Sequence, residues 1–277
     1  DVIVSGGGTA DNLVLAGMGD DRVNQPALNA GDPVPATSTG TDTVFGDNGL
    51  VTWDIAGLIT EFESTQTDLG GNDAIAVGDG DNTVVGGYGN DSIVAGAGND
   101  LVLGDNVQVS YTPNTEQLLQ VVSTDTTNLT GGNDVIDTGN GNNLVVAGVG
   151  TDQVSAGTGS DLVIGDNGQI DWTTAGEYSQ IQTTDLGLGA ADDLRVGDGD
   201  NIVAGGFGGD VIETGVGIDL ILGDNGNLQY TTDGSGNAIL TLAQTTDTTT
   251  ATGGDDLVRS GGRRVGKEGR SRWSEYQ

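Results

Sequence analysis

The chain contains no cysteine and no histidine. An ordinary zinc site, a Ser-His-Asp triad and a Cys-His pair are therefore all excluded. The absence of cysteine leaves the redox compartment open. Basic residues are scarce: 8 Lys and Arg stand against 41 Asp and Glu, for a net charge of −33. That imbalance argues against nucleic acid as a partner, because a polyanion repels it. No run of about 18 apolar residues exists, so no helical membrane span is expected. What survives is chemistry with oxygen-ligand cations, and calcium suits such ligands best.

Among 277 residues there are 51 glycines. An acidic, glycine-rich chain would ordinarily stay disordered. Regularly spaced aliphatic residues argue otherwise, provided something neutralises the acid, and the length suffices for a sizeable core. The stretch 86–106, GGYGNDSIVAGAGNDLVLGDN, shows the pattern. Asp91 closes one glycine turn and Asp100 closes the next, nine residues later. Between them lies a short apolar strand with Ile93 and Val94. Glycines at the first, second and fourth positions permit positive φ in a tight turn. An Asp follows at the sixth position. A large aliphatic at the eighth faces inward, since side chains alternate along a strand. Two such units make one coil, and alternate turns stack on the same edge at ~4.8 Å.

Aligned at the sixth position, the chain gives Asp1, Asn12, Asp21 and Asp42; then Asp73, Asn82, Asp91 and Asp100; then Asp134, Asn143, Asp152 and Asp161; then Asp192, Asn201, Asp210 and Asp219. A fifth block opens at Asp256. Every block reads Asp, Asn, Asp, Asp. In the first block some residues are looped out, with Pro26, Pro33 and Pro35 among them. The inward aliphatics are Ile75, Val84, Ile93 and Val102; Ile136, Val145, Val154 and Val163; and Leu194, Ile202 (one residue early), Ile212 and Ile221. β-Branched residues dominate, as strands prefer. Stacking buries them as a ladder, which a single coil could not do.

Each block closes on Gly-Asp-Asn, with Asp47, Asp105, Asp166 or Asp224 at its centre. These begin a turn that an insertion splits. The blocks lie at about 1–48, 70–106, 131–167 and 189–225, with a fifth from 253; the inserts are 49–69, 107–130, 168–188 and 226–252. Each insert reads strand, turn, strand. One aromatic recurs at Trp53, Tyr111, Trp172 and Tyr230, two residues after Val51, Val109, Ile170 and Leu228. That alternation predicts a strand with one apolar face. The aromatics have two readings, packing under a hairpin or a row that binds glycans or surfaces. Two whole coils separate the inserts, so all leave from one edge. Two coils advance by ~9–10 Å, the width of a hairpin, so successive hairpins are expected to pair into an added sheet. Residues 1–262 read as one solenoid. Residues 263–277 stand apart as a basic tail with Arg263, Arg264, Lys267, Arg270 and Arg272, readable as a mis-read frame, a cloning remnant or a genuine end. Asp1 falls in mid-pattern, which reads as a piece of something longer.

The unit G-G-x-G-x-D-x-U-x resembles the RTX (haemolysin-type) calcium-binding nonapeptide repeat, about sixteen times over roughly residues 1–262, inserts excepted. The resemblance implies an all-β parallel β-roll with calcium between stacked turns, held by the sixth-position Asp and turn carbonyls. By that resemblance Asp73 pairs with Asp91, Asp134 with Asp152, and Asp192 with Asp210. On the other edge Asn82 pairs with Asp100, Asn143 with Asp161, and Asn201 with Asp219. Asp21 and Asp42 take the same place in the first block, and Asp47, Asp105, Asp166 and Asp224 add a ligand or cap the split turn. Asn in place of Asp departs from the family pattern: it keeps an oxygen but loses a charge, so that edge binds more weakly or stays empty. Asp79, Asp81, Asp198 and Asp200 flank two of those turns and offer charge back. Plain turn chemistry without metal is the competing reading of all these side chains. In its favour calcium has electrostatics: two carboxylates ~5 Å apart repel by about 1 kcal/mol in water and by several at an effective dielectric near 20, and a divalent cation reverses the sign. Equivalent carboxylates spread along a ladder provide no cleft that holds one acid neutral, so no enzyme is expected. The resemblance implies a secreted, calcium-stabilised structural segment of a large bacterial repeat protein, an adhesin, matrix or fibre component. The alternatives are a self-assembling extracellular filament subunit, associating end to end or edge to edge, and a secretion and folding module of a secreted enzyme.

Overall fold

The structure is a computed structural model, and it describes residues 1–3, 9–24, 39–247, 252–261 and 263–265. The proline-bearing loop of the first block lies outside these residues, as do residues 266–277. Among the described residues every regular element is a β-strand, and no helix is long and apolar enough to cross a membrane.

Short strands follow the glycine turns and stack into two parallel nine-stranded sheets. The front sheet comprises Val2–Ile3, Arg22–Val23, Ala74–Ala76, Ser92–Val94, Val135–Gly139, Gln153–Ala156, Asp193–Val196, Val211–Thr214 and Leu257–Ser260. The middle sheet comprises Leu13–Leu15, Thr43–Phe45, Thr83–Val85, Leu101–Leu103, Leu144–Val146, Leu162–Ile164, Ile202–Gly206, Ile218–Asp224 and Arg263–Val265. Within a block the register matches residues one coil apart, Ile75 with Ile93 and Val84 with Val102. Across an insert it continues unbroken, Ile93 with Ile136 and Val102 with Val145. The architecture is the parallel β-roll with inserted hairpins that the repeat predicts. Arg263–Val265, inside the stretch set apart as a basic tail, pairs parallel with Ile218–Leu220.

The first core lies between the two parallel sheets. Ile75, Ile93, Ile136, Leu194 and Ile212 meet Val84, Val102, Val145 and Val163 there. One expected residue is misplaced. Ile202 pairs with Leu162 and Leu220 and is only partly buried, on the other face of its strand. Val203 takes the inward place and is wholly buried. The two-residue offset from Asn201 is therefore kept, as the pleat requires.

The hairpins form a third layer. Gly49–Trp53 with Ile59–Ser64, Val107–Tyr111 with Leu118–Ser123, Gly168–Trp172 with Tyr178–Thr183, and Gly226–Thr232 with Ala238–Thr245 join as one eight-stranded antiparallel sheet. Neighbouring hairpins pair directly, Val109 with Phe62, Val121 with Ile170, and Ile181 with Leu228. A second core fills the space between this hairpin sheet and the middle sheet: Phe45, Val85, Leu103, Val146, Ile164 and Leu222 against Val51, Phe62, Val109, Val121, Ile170 and Ile181. The middle strands are thus apolar on both faces. The front strands alternate buried with exposed positions because their outer face meets solvent.

All four recurring aromatics sit where the hairpin register slips, after Thr52, Ser110, Asp171 and Gln229. A bulge of this kind re-aims a side chain. Tyr111, Trp172 and Tyr230 pack against the second core, and Tyr178 stacks between Trp172 and Tyr230 at 5.6 and 6.0 Å. Trp53 is half exposed at 50%. Packing accounts for three of the four.

Candidate metal sites between stacked turns

Two rows of turns run along the edges of the parallel sheets, and each is wired lengthwise by side chains. On the first edge Asp21, Asp73, Asp91, Asp134, Asp152, Asp192 and Asp210 follow one another. The backbone N–H of each donates to Oδ1 of the Asp in the next coil: Asp21 to Asp73 at 2.7 Å, Asp73 to Asp91 at 2.7 Å, Asp91 to Asp134 at 2.8 Å, and so on to Asp210, which donates to Asp256 at 3.0 Å. The fifth-position side chains make a second ladder running the opposite way. Asn72 Oδ1 accepts from Asn90 N–H at 2.7 Å, and Asn90 Oδ1 from Asn133 N–H at 2.6 Å. Expected pairs such as Asp73 with Asp91 are thus brought together, but as links of a continuous series.

The sixth-position carboxylates use only one oxygen in this way. Oδ2 of Asp21, Asp73, Asp91, Asp134, Asp152, Asp192 and Asp210 is buried and accepts no hydrogen bond. A buried carboxylate oxygen with no donor is costly unless a proton or a cation meets it. Burial, the largest cause, pushes Asp73 up to about 7 and Asp210 up to about 8. It also raises Asp91, Asp134, Asp152 and Asp192, and the neighbouring Asp charges add to the rise at Asp91 and Asp152. Close approach of the coils crowds this edge: a Cβ added to Gly86 would run into Asp91 Oδ2 and the Gly104 carbonyl.

On the second edge Asn12, Asp42, Asn82, Asp100, Asn143, Asp161, Asn201 and Asp219 alternate strictly along the stack. The same N–H to Oδ1 ladder runs through them, Asp42 to Asn82 at 3.0 Å, Asn82 to Asp100 at 2.9 Å, and Asp100 to Asn143 at 3.1 Å. Oδ2 of Asp42, Asp100 and Asp161 is buried and unpartnered. Burial first, then the charges of Asp81 and Asp79, holds Asp100 up at about 6. Asp219 differs, because its Oδ2 accepts from the Thr214 hydroxyl at 2.7 Å and the Ser260 hydroxyl at 3.1 Å. The Asn side chains are fully engaged. Asn82 Nδ2 donates toward Gly78 O, Gly80 O, Ala95 O and Asp100 Oδ1 at 3.0, 2.8, 3.2 and 3.0 Å. Asp79, Asp81, Asp198 and Asp200 are exposed, and each accepts a backbone N–H of the following coil. They thus join the outer ladder.

The Gly-Asp-Asn aspartates cap the split turn. Asp47 Oδ1 accepts from Gly71 N–H at 3.2 Å, where the chain returns from its hairpin. Its Oδ2 accepts from Tyr88 N–H in the next coil at 2.7 Å. Asp105 does the same with Gly132 and Val149, and Asp166 with Ala190 and Phe207. Burial, then Asp73, pushes Asp47 up to about 8. Burial first also raises Asp105, Asp166 and Asp224. The adjoining Asn closes the hairpin base: Asn106 binds Asp125 through backbone and side chain, and Asn225 binds Asp247.

These surroundings fit a hard cation. Among the described residues no three acidic side chains gather at one point. Each gap instead offers unpartnered carboxylate oxygen beside backbone carbonyls, the mixture that calcium accepts at six to eight positions. Basic side chains do not meet this need. Apart from the Asp1 amino group beside Asp21, the ion pairs of the described residues join Arg195 and Arg259 to Asp193 and Glu213, on the front sheet. Reading the sequence alone names turn carbonyls without saying which of them face a gap, and it misses the amide contacts of Asn82. The only signal for the latter is that Asn recurs at the second of every four sixth positions.

Residues 69–106 and 128–163 match the family model described as the RTX calcium-binding nonapeptide repeat, in four copies. These segments carry RTX repeats, and such repeats bind Ca²⁺ at multiple sites. No curated protein and no solved structure matches the chain.

Proposed function

We propose that the chain is a calcium-stabilised structural segment of a secreted bacterial repeat protein, in which calcium between successive coils holds the stack together. The row of buried, unpartnered Oδ2 atoms from Asp21 to Asp210 carries this reading. Bound there, calcium takes the place of the protons that burial favours and neutralises charge that the Arg195 and Arg259 ion pairs on the front sheet do not reach. Asp73, Asp91, Asp134, Asp152, Asp192 and Asp210 would hold it on the first edge, and Asp42, Asp100 and Asp161 on the second. Asp47, Asp105, Asp166 and Asp224 pin the split turns. Asp219, with two hydroxyl donors, has the least need of metal. Proteins with these repeats are typically secreted by bacteria, and millimolar extracellular calcium suffices for weak sites of the extracellular type. Adhesion, matrix or fibre are the roles that such a stiff segment serves.

A second reading, a self-assembling filament subunit, is favoured by Ala238–Thr245. Among the described residues this eight-residue strand ends the hairpin sheet with one edge unpaired, and Ile239 and Leu240 are exposed. A secretion and folding module of an enzyme shares the same calcium chemistry, and whether the gene also encodes an enzyme domain separates it from both. Circular dichroism tests the calcium claim. The β signal is expected with calcium and largely lost with chelator; an unchanged signal after chelation contradicts it.

A further inference from the structure

On the second edge, Asn82 Nδ2 lies within 2.8–3.2 Å of four oxygens. Two are carbonyls of its own turn, Gly78 and Gly80. The others, the Ala95 carbonyl and Asp100 Oδ1, belong to the next coil. An amide nitrogen carries two hydrogens, so four converging acceptors exceed what it can satisfy. A shell of oxygens drawn from two successive turns is the surrounding of a cation. Asn201 repeats it, with Gly197 O at 3.1 Å, Gly199 O at 3.0 Å and Asp219 Oδ1 at 3.0 Å. At Asn143 the shell is reduced to Gly141 O at 3.2 Å and Asp161 Oδ1 at 3.0 Å. The amide orientation is fixed by its surroundings. Asn82 Oδ1 accepts the Asp42 N–H, and a flipped amide would place oxygen among four oxygens.

The neighbouring turns show the opposite condition. Asp42, Asp100 and Asp161 occupy the same register but leave Oδ2 buried without a donor. Donor-filled and donor-lacking steps therefore alternate from Asp42 to Asn201, and Asp219, whose Oδ2 accepts from two hydroxyls, ends the series.

We propose that the Asn amide nitrogens act as tethered substitutes for the cation, so that the second edge takes calcium only at alternate steps while the first takes it at every step. This rests on the reading of the Asp turns as calcium sites. The amide-filled steps hold coil to coil in pairs without metal, and they give the metal-free chain a partial scaffold along one edge.

The test counts calcium by atomic absorption after gel filtration in calcium chloride, and follows thermal unfolding in chelator. The variants Asn82→Asp and Asn201→Asp are each expected to bind one further calcium per chain and to unfold at lower temperature in chelator. The reverse variant Asp91→Asn is expected to bind one calcium fewer and to unfold at higher temperature in chelator. An unchanged count in the Asn→Asp variants, with the parent loaded, overturns the proposal and leaves the calcium reading intact. So does failure of these variants to fold in saturating calcium, since the ion would take the amide's place. If the parent binds no calcium, the reading of the Asp turns fails. The chelator arm then still decides the amide's part: a lower unfolding temperature for Asp91→Asn overturns it.

Discussion

A single carboxylate in this molecule is asked to do two things with two oxygens. Oδ1 of Asp91 takes a backbone N–H across the stack, and Oδ2 is left buried with nothing to accept. Raised values accompany this at Asp73, about 7, Asp210, about 8, and Asp100, about 6, while Asp47, bonded through both oxygens, still stands at about 8. In each case burial is the leading cause. A raised carboxyl pKa means that the folded chain binds protons more tightly than the unfolded chain, whose carboxyls ionise near 4. Without metal, stability is then full below pH ~4 and falls as pH climbs toward ~8. Calcium binding runs the other way, because its ligands must be deprotonated. In chelator, the melting temperature is expected to rise as pH is lowered from 8 to 5, while saturating calcium abolishes or reverses the trend. A melting temperature in chelator that rises with pH contradicts this account of the carboxylates.

At the scale of elements, the distinction between the two parallel sheets explains which strands matter most. Middle strands such as Leu101–Leu103 are buried on both faces, whereas Ser92–Val94 buries only Ile93. Phe62, one strand in from the end of the hairpin layer, is wholly buried, edge-on to Phe45 at 5.5 Å and beside Tyr111 at 6.1 Å. Truncating it leaves a cavity in the second core, and Phe62→Ala is expected to cost about 3–5 kcal/mol in denaturant titration with calcium present. Trp53→Ala, at the bulge of the same hairpin but half exposed, is expected to cost far less. Equal losses at the two sites would mean that the hairpin sheet is not held by this core. The sequence announces the hairpins and their common edge through the Gly-Asp-Asn marks and the Val51-to-Trp53 alternation. The bulge beneath each aromatic is not legible there, because a register slip depends on both strands at once. The doubly apolar middle strands are legible, in Leu101, Val102 and Leu103 against Ser92, Ile93 and Val94. Reading one inward residue per repeat passes over them, and the same habit misplaces Ile202 for Val203.

For the whole molecule, the nonapeptide period fixes nearly everything about topology, because each coil can pair only with its neighbours. Insertions leave that order intact by departing within a turn, where Asp47, Asp105 and Asp166 tie the chain closed. The sequence is silent on which oxygens face which gap, because ligand sets built largely from backbone carbonyls leave no side-chain signature. Hence the Asn turns read as weakened sites, although their amides are saturated in the structure. The global balance tells the same story as the single residue: a net charge of −33 is folded into stacked layers, and the ion-paired Arg195 and Arg259 lie on the front sheet with Asp193 and Glu213. Anomalous diffraction from crystals grown in calcium chloride tests this most directly. Peaks are predicted between successive coils beside Oδ2 of Asp73, Asp91, Asp134, Asp152 and Asp192. An intact stack with no peak along that edge would contradict the account.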